Sequence, residues 1–119
     1  MTGRALVAGA VLMAAVLADG TLSAQTPSGS IKEELALDND SVRVTVLSLP
    51  RGASTGIHIN AEPEVGIVAE GELTLVTRSG KEVFRPGQVV WLATMTGHEA
   101  RNEGQRAVKI WALSLKRCE

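Results

Sequence analysis

The chain has 119 residues, a formal net charge of −1, 21% charged residues and only 3% aromatic ones. Scattered Lys and Arg at near-neutral charge exclude an electrostatic footprint for nucleic acid, and with no Tyr and only Phe84, Trp91 and Trp111 there is no stacking platform for single strands. The one cysteine, Cys118, has no partner in the chain, so no internal disulfide supports the fold.

Arg4 precedes an uncharged apolar run from Ala5 to Ala18, which Asp19 and Gly20 break, and Ala24 stands at a small-residue cleavage position. That layout predicts a signal peptide over residues 1–24, and with it a secreted or periplasmic protein that is free of the membrane after cleavage. The alternative, an uncleaved anchor, needs about 20 apolar residues to span a bilayer, and this run is shorter. Residues 25–40 read as a polar linker, "QTPSGS", followed by an edge strand in "IKEELALDND"; residues 41–116 read as one small domain. In "SVRVTVLSL" Val42, Val44 and Val46 alternate with Arg43, Thr45 and Leu47, the period of a strand. "EVGIVAE" and "ELTLVTR" flank Glu70-Gly71, where a hairpin turn is expected. Ser79-Gly80 and Pro86-Gly87 mark turns into "KEVF" and "QVVWLA", and Asn102-Glu103-Gly104 a turn into the last strand, "RAVKIWALSL". No part of the domain has a capped helical period. Short strands with turns between them predict an all-β sandwich or barrel, and their number suits a jelly roll.

Chemistry-bearing residues are few. His58 and Asn60 are two apart, so on a strand they face one side, and Glu64 follows just beyond Pro63. The only other histidine, His98, lies far downstream and joins them only if the fold returns it to His58.

These residues make the chain resemble the cupin family over nearly all of the domain. The first cupin motif places Gly, His, a second His, Glu and Gly at set spacings; Gly52, His58, Asn60, Glu64 and Gly71 stand at those positions, with Asn60 in place of the second His. In the second motif Gly87, His98 and Asn102 keep register, while Ala93 replaces the usual Pro and Met95 the usual Gly. The resemblance implies a double-stranded β-helix (jelly-roll) barrel with a divalent metal, Fe, Mn, Zn or Ni, held inside by His58, Glu64 and His98. It also implies a small-molecule ligand and a homodimer.

Asn60 changes the chemistry. An amide oxygen is a weaker and harder donor than an imidazole nitrogen, so Asn60 is a weak ligand or bonds a metal-bound water. Two histidines and a carboxylate still form the ligand set of non-haem iron oxygenases. Three functions therefore stand open: a metal enzyme with dioxygenase or isomerase chemistry; a non-catalytic module binding a metal or small ligand at a degenerate site; and a metal-free acid–base enzyme led by Glu64. Met95, near the expected mouth, is a candidate substrate contact. Plainer readings stand beside these: hydrogen-bonded histidines without a ligand, Glu64 as a turn acid, Asn102 as a turn stabiliser, and Trp91 and Trp111 as core or sheet-packing residues with subunit contact second.

Overall fold

Alternating apolar residues punctuated by Gly, Pro and Asn produce nine strands: β1 (Lys32–Asp38), β2 (Val42–Leu49), β3 (His58–Ile59), β4 (Glu64–Glu70), β5 (Leu73–Thr77), β6 (Gly80–Phe84), β7 (Val89–Leu92), β8 (Gly97–Arg101) and β9 (Val108–Leu115). The structure, a computed structural model, describes residues 29–116. The leader expected over 1–24 and Cys118 lie outside the described residues. Among those described there is no helix.

Two antiparallel sheets form, with strand orders β1-β2-β9-β4-β7 and β3-β8-β5-β6. This is the expected all-β jelly roll, and its core lies between the sheets. The alternation in β9 shows how: Val108, Ile110 and Ala112 are buried, whereas Trp111 between them is 40% exposed on the outer side. Direct register places Leu49 opposite Val108 and Leu47 opposite Ile110, and Val68 meets Ile110 from the other flank. Leu73, Leu75 and Ala100 close the core from the second sheet. Each fully buried aliphatic side chain contributes about 1.5–3 kcal/mol, so this interior is the main stabilising element of so small a fold.

The Glu70–Gly71 junction, expected to close a hairpin, instead carries the chain between sheets. β4 pairs with β9 and β7, while β5 pairs with β6 and β8. Gly71 has φ 77°, and a Cβ there would run into the Ala107 carbonyl oxygen and come within 3.0 Å of Val108 Cα. The glycine is needed because the crossover presses against the entry to β9. The Ser79-Gly80 signal does mark a tight turn, with Thr77 paired to Gly80 across it.

Asn102, 1% exposed, does more than stabilise a turn. Its Nδ2 donates to the carbonyls of Leu49 (2.9 Å) and Arg106 (2.7 Å), and its Oδ1 accepts from Gly104 N (3.0 Å). One buried amide thus ties the end of β2 to the β8–β9 loop, satisfying three main-chain groups.

Candidate metal centre

The two histidines, forty residues apart in sequence, become direct partners: β3 pairs with β8 so that His58 lies opposite His98. Thr55 secures the approach to β3, its N donating to Ala100 O (2.9 Å) and its Oγ1 accepting from Ala100 N (3.0 Å). The imidazole centroids are 4.1 Å apart with an interplanar angle of 66°. His98 is 4% exposed, while His58 sits at the solvent-facing end of the pair.

Both rings share one hydrogen-bonding arrangement. His58 Nδ1 lies 3.2 Å from Gly56 O, and His98 Nδ1 lies 3.2 Å from Thr96 O. A carbonyl oxygen only accepts, so each Nδ1 carries the proton and donates it. In the neutral rings the lone pair then belongs to Nε2. This is how metal-binding histidines are generally oriented, with the far nitrogen tied to a carbonyl or carboxylate.

Glu64 enters from the opposite sheet, at the start of β4, where it pairs with Leu92 and Ser114. Together His58, His98 and Glu64 line a cavity of about 50 Å³ whose other walls include Leu47, Thr55, Gly66 and Ile110. All three expected ligands therefore face one space. They do not yet form a closed ligand shell: among the described residues no group of three or more His, Cys, Asp and Glu side chains is placed to hold a metal ion. Beside the histidines, Asn60 Nδ2 donates to Glu64 Oε1 and engages the carboxylate. The nitrogen half of the expected donor set carries the tautomer that metal-binding histidines use. The carboxylate half is held at Oε1 by Asn60.

Met95 is not a wall of this cavity. It is 70% exposed in the β7–β8 loop, its N donating to Asn60 O (2.8 Å). With φ 59° it is the one non-glycine with positive φ among the described residues. That is the backbone reason glycine is usual at this motif position.

One ionic network had no signal in the sequence. On the outer side of β8, Arg101 Nε and Nη2 donate to the two Glu99 oxygens (2.9 and 3.1 Å), Ser54 Oγ donates to Glu99 Oε2, and Arg101 Nη1 donates to Glu103 (3.2 Å). The Arg101 hydrogen bond, helped by Ser54, holds the Glu99 carboxyl below the ordinary Glu value. Lys81 first and Arg101 second do the same for Glu103. The network fixes the outer side of the strand that presents His98 inward. Ser54 reaches Glu99 because it bridges antiparallel to Arg101 across β8, so spacing along the chain does not foretell it.

The model of the cupin domain family matches residues 45–115. Among curated proteins none matches the chain. A cupin superfamily protein from Desulfitobacterium hafniense superimposes with TM-score 0.70 at 15% identity, covering 78% of this chain and 84% of that one. A cupin domain from Bordetella pertussis gives TM-score 0.66 at 21% identity, over 78% of this chain and 100% of that one. A cupin family protein of double-stranded β-helix fold from Methanocaldococcus jannaschii gives 0.69 at 15% identity, over 82% and 91%. At these identities the likeness is one of fold.

Proposed function

The chain belongs to the cupin family, and from that premise we propose that it is an exported, non-catalytic module that binds one divalent late transition metal through Nε2 of His58 and of His98, with Glu64 as the carboxylate donor. The observation that supports this reading is the shared arrangement of the two rings: each gives its Nδ1 proton to a main-chain carbonyl and both line one cavity. Nitrogen donors favour nickel or zinc over manganese, following the general order of divalent affinities. When bound, such an ion acts as a Lewis acid toward whatever fills its open positions.

Cavity size favours binding over turnover. About 50 Å³ admits an ion with one or two water-sized ligands, whereas pockets for organic ligands run to roughly 300–1,000 Å³. Leu47 and Ile110 keep bulk water from the inner wall, and the Nδ1 bonds fix the tautomers. Glu64 would supply the carboxylate oxygen to the ion, giving up its bond to the Asn60 amide. Export rests on the Arg4 and Ala5–Ala18 leader; cleavage after Ala24 leaves every strand from Lys32 onward intact. N-terminal sequencing of the exported protein beginning at Gln25 checks that part.

The deciding experiment is elemental analysis and zinc or nickel titration of the whole chain, purified without a histidine tag. One equivalent is expected in the wild type, with at least about 100-fold weaker binding in His58→Ala and in His98→Gln, which keeps the buried volume filled. The loss expected on removing a nitrogen ligand is no smaller than that seen when an outer-shell partner is removed. No metal after reconstitution, or unchanged affinity in His98→Gln, sinks the reading.

A further inference from the structure

The carbonyl that receives the His58 proton is itself held in place. Gly56 has φ 73°, and the two hydroxyls just before it bind its main chain on either side. Its N donates to Ser54 Oγ (3.0 Å). Its O accepts from Thr55 Oγ1 (2.9 Å) as well as from His58 Nδ1 (3.2 Å), and the two lone pairs of a carbonyl oxygen accommodate both donors.

Both hydroxyls are in turn anchored to β8. Thr55 Oγ1 accepts from Ala100 N (3.0 Å), which leaves its own proton for Gly56 O. Ser54 Oγ donates to Glu99 Oε2, and Arg101 holds that carboxylate by both oxygens. One hydrogen-bonded chain therefore runs from Ala100 through Thr55 and Gly56 O to the His58 ring. A second runs from Arg101 through Glu99 and Ser54 to Gly56 N. Bonds in such chains polarise and strengthen one another. The support matters because β3 has only two residues, and Gly56 and His58 are both exposed. Water competes for a hydrogen bond in that setting, and an unheld carbonyl would lose Nδ1 to it. His98, 4% exposed, is shielded from that competition.

We propose that Thr55, assisted by Ser54, is a positioning residue: the paired hydroxyls aim the Gly56 carbonyl at His58 Nδ1 and so keep Nε2 unprotonated and free to bind. Which ring nitrogen carries the proton is set by the bond the other one makes. The tautomer depends on these bonds alone, whereas the effect on affinity rests on the metal-binding function proposed above.

Long-range proton–nitrogen correlation NMR of the whole, metal-free chain in mildly alkaline buffer reads the tautomer of each ring, and the chain has only two histidines. Both are expected with the proton on Nδ1. Thr55→Val keeps the side-chain volume without the hydroxyl. It should turn His58 into a mixture of tautomers while His98, bound to Thr96 O, stays as it is. Thr55→Ser returns the hydroxyl and should return the His58 tautomer, which a purely space-filling Thr55 would not do. Zinc affinity should fall by about 10-fold in Thr55→Val and recover in Thr55→Ser, as for loss of a group that orients a ligand. Should Thr55→Val not fold, Ser54→Ala, at an exposed position, removes the other anchor and should shift His58 in the same direction. An unmoved His58 tautomer overturns the proposal, as does a Thr55→Ser chain that behaves like Thr55→Val, or a His98 ring that shifts together with His58. A shifted tautomer in a chain that takes up no metal supports the clamp and fails only the metal site; metal uptake with an unmoved tautomer fails only the clamp.

Discussion

Removing the Asn60 side-chain amide asks whether Glu64 is held in reserve. Asn60 donates to Glu64 Oε1, and a hydrogen bond to a charged acceptor contributes about 1.5–3 kcal/mol. Both side chains are half-buried, so water replaces part of the bond when it breaks. About 1 kcal/mol is then left opposing the turn of Glu64 toward the histidines, a factor of about five in affinity. Asn60→Ala should therefore tighten zinc binding by about fivefold, and Asn60→His, which restores an imidazole, by more. Competition titration against a chromophoric chelator, with the whole chain, measures both, and Glu64→Gln serves as the control that should gain nothing from a second change at Asn60. Weaker binding in Asn60→Ala with an intact fold would refute the reasoning. It would mean that the amide is itself a ligand or aims Glu64 at the metal rather than away from it.

Asn102→Ala removes two donors and an acceptor from a site 1% exposed, leaving the Leu49 and Arg106 carbonyls and the Gly104 amide without this partner; a loss of about 3–5 kcal/mol is expected in urea unfolding. Gly71→Ala combines a left-handed backbone, costing about 1–2 kcal/mol, with a collision against the Ala107 carbonyl, and should lower stability by at least about 3 kcal/mol in the same assay. The Glu99 carboxyl is held below its usual value of 4.5, so the unfolded chain takes up its proton first as pH falls. Its contribution is therefore present above pH 4.5 and lost below it as the folded-state value is approached. Thermal melts at graded pH should show this loss in the wild type and a flatter acid limb in Glu99→Gln; identical limbs would leave the Arg101 pair without a stabilising role.

Much of this protein is legible in its sequence because the relevant physics is local. Period-two alternation in "SVRVTVLSL" dictates a strand, turn residues mark its neighbours, and the spacing of His58, Asn60 and Glu64 puts chemistry at one strand end. The structure explains the glycine usual at Met95, since the backbone there is left-handed, with φ 59°. Other features depend on contacts that spacing does not encode. Alternation tells that Val44 and Val46 share a side of β2, not that this side is the outer one; burial of Leu47 and Leu49 by the opposite sheet decides it. The Glu70–Gly71 turn looks like a hairpin because Gly permits one, and it becomes a crossover because β4 finds better partners in β9 and β7.

By itself the sequence determined most of the strands, the family and the small set of candidate metal ligands. Only the tertiary structure set His98 beside His58, tied Glu64 to Asn60, reduced the cavity to about 50 Å³ and gathered both tryptophans on one outer face. Strand formation follows from the preferences of neighbouring residues, whereas register between strands distant in the chain is settled by which pairing buries the most apolar surface in a shared core.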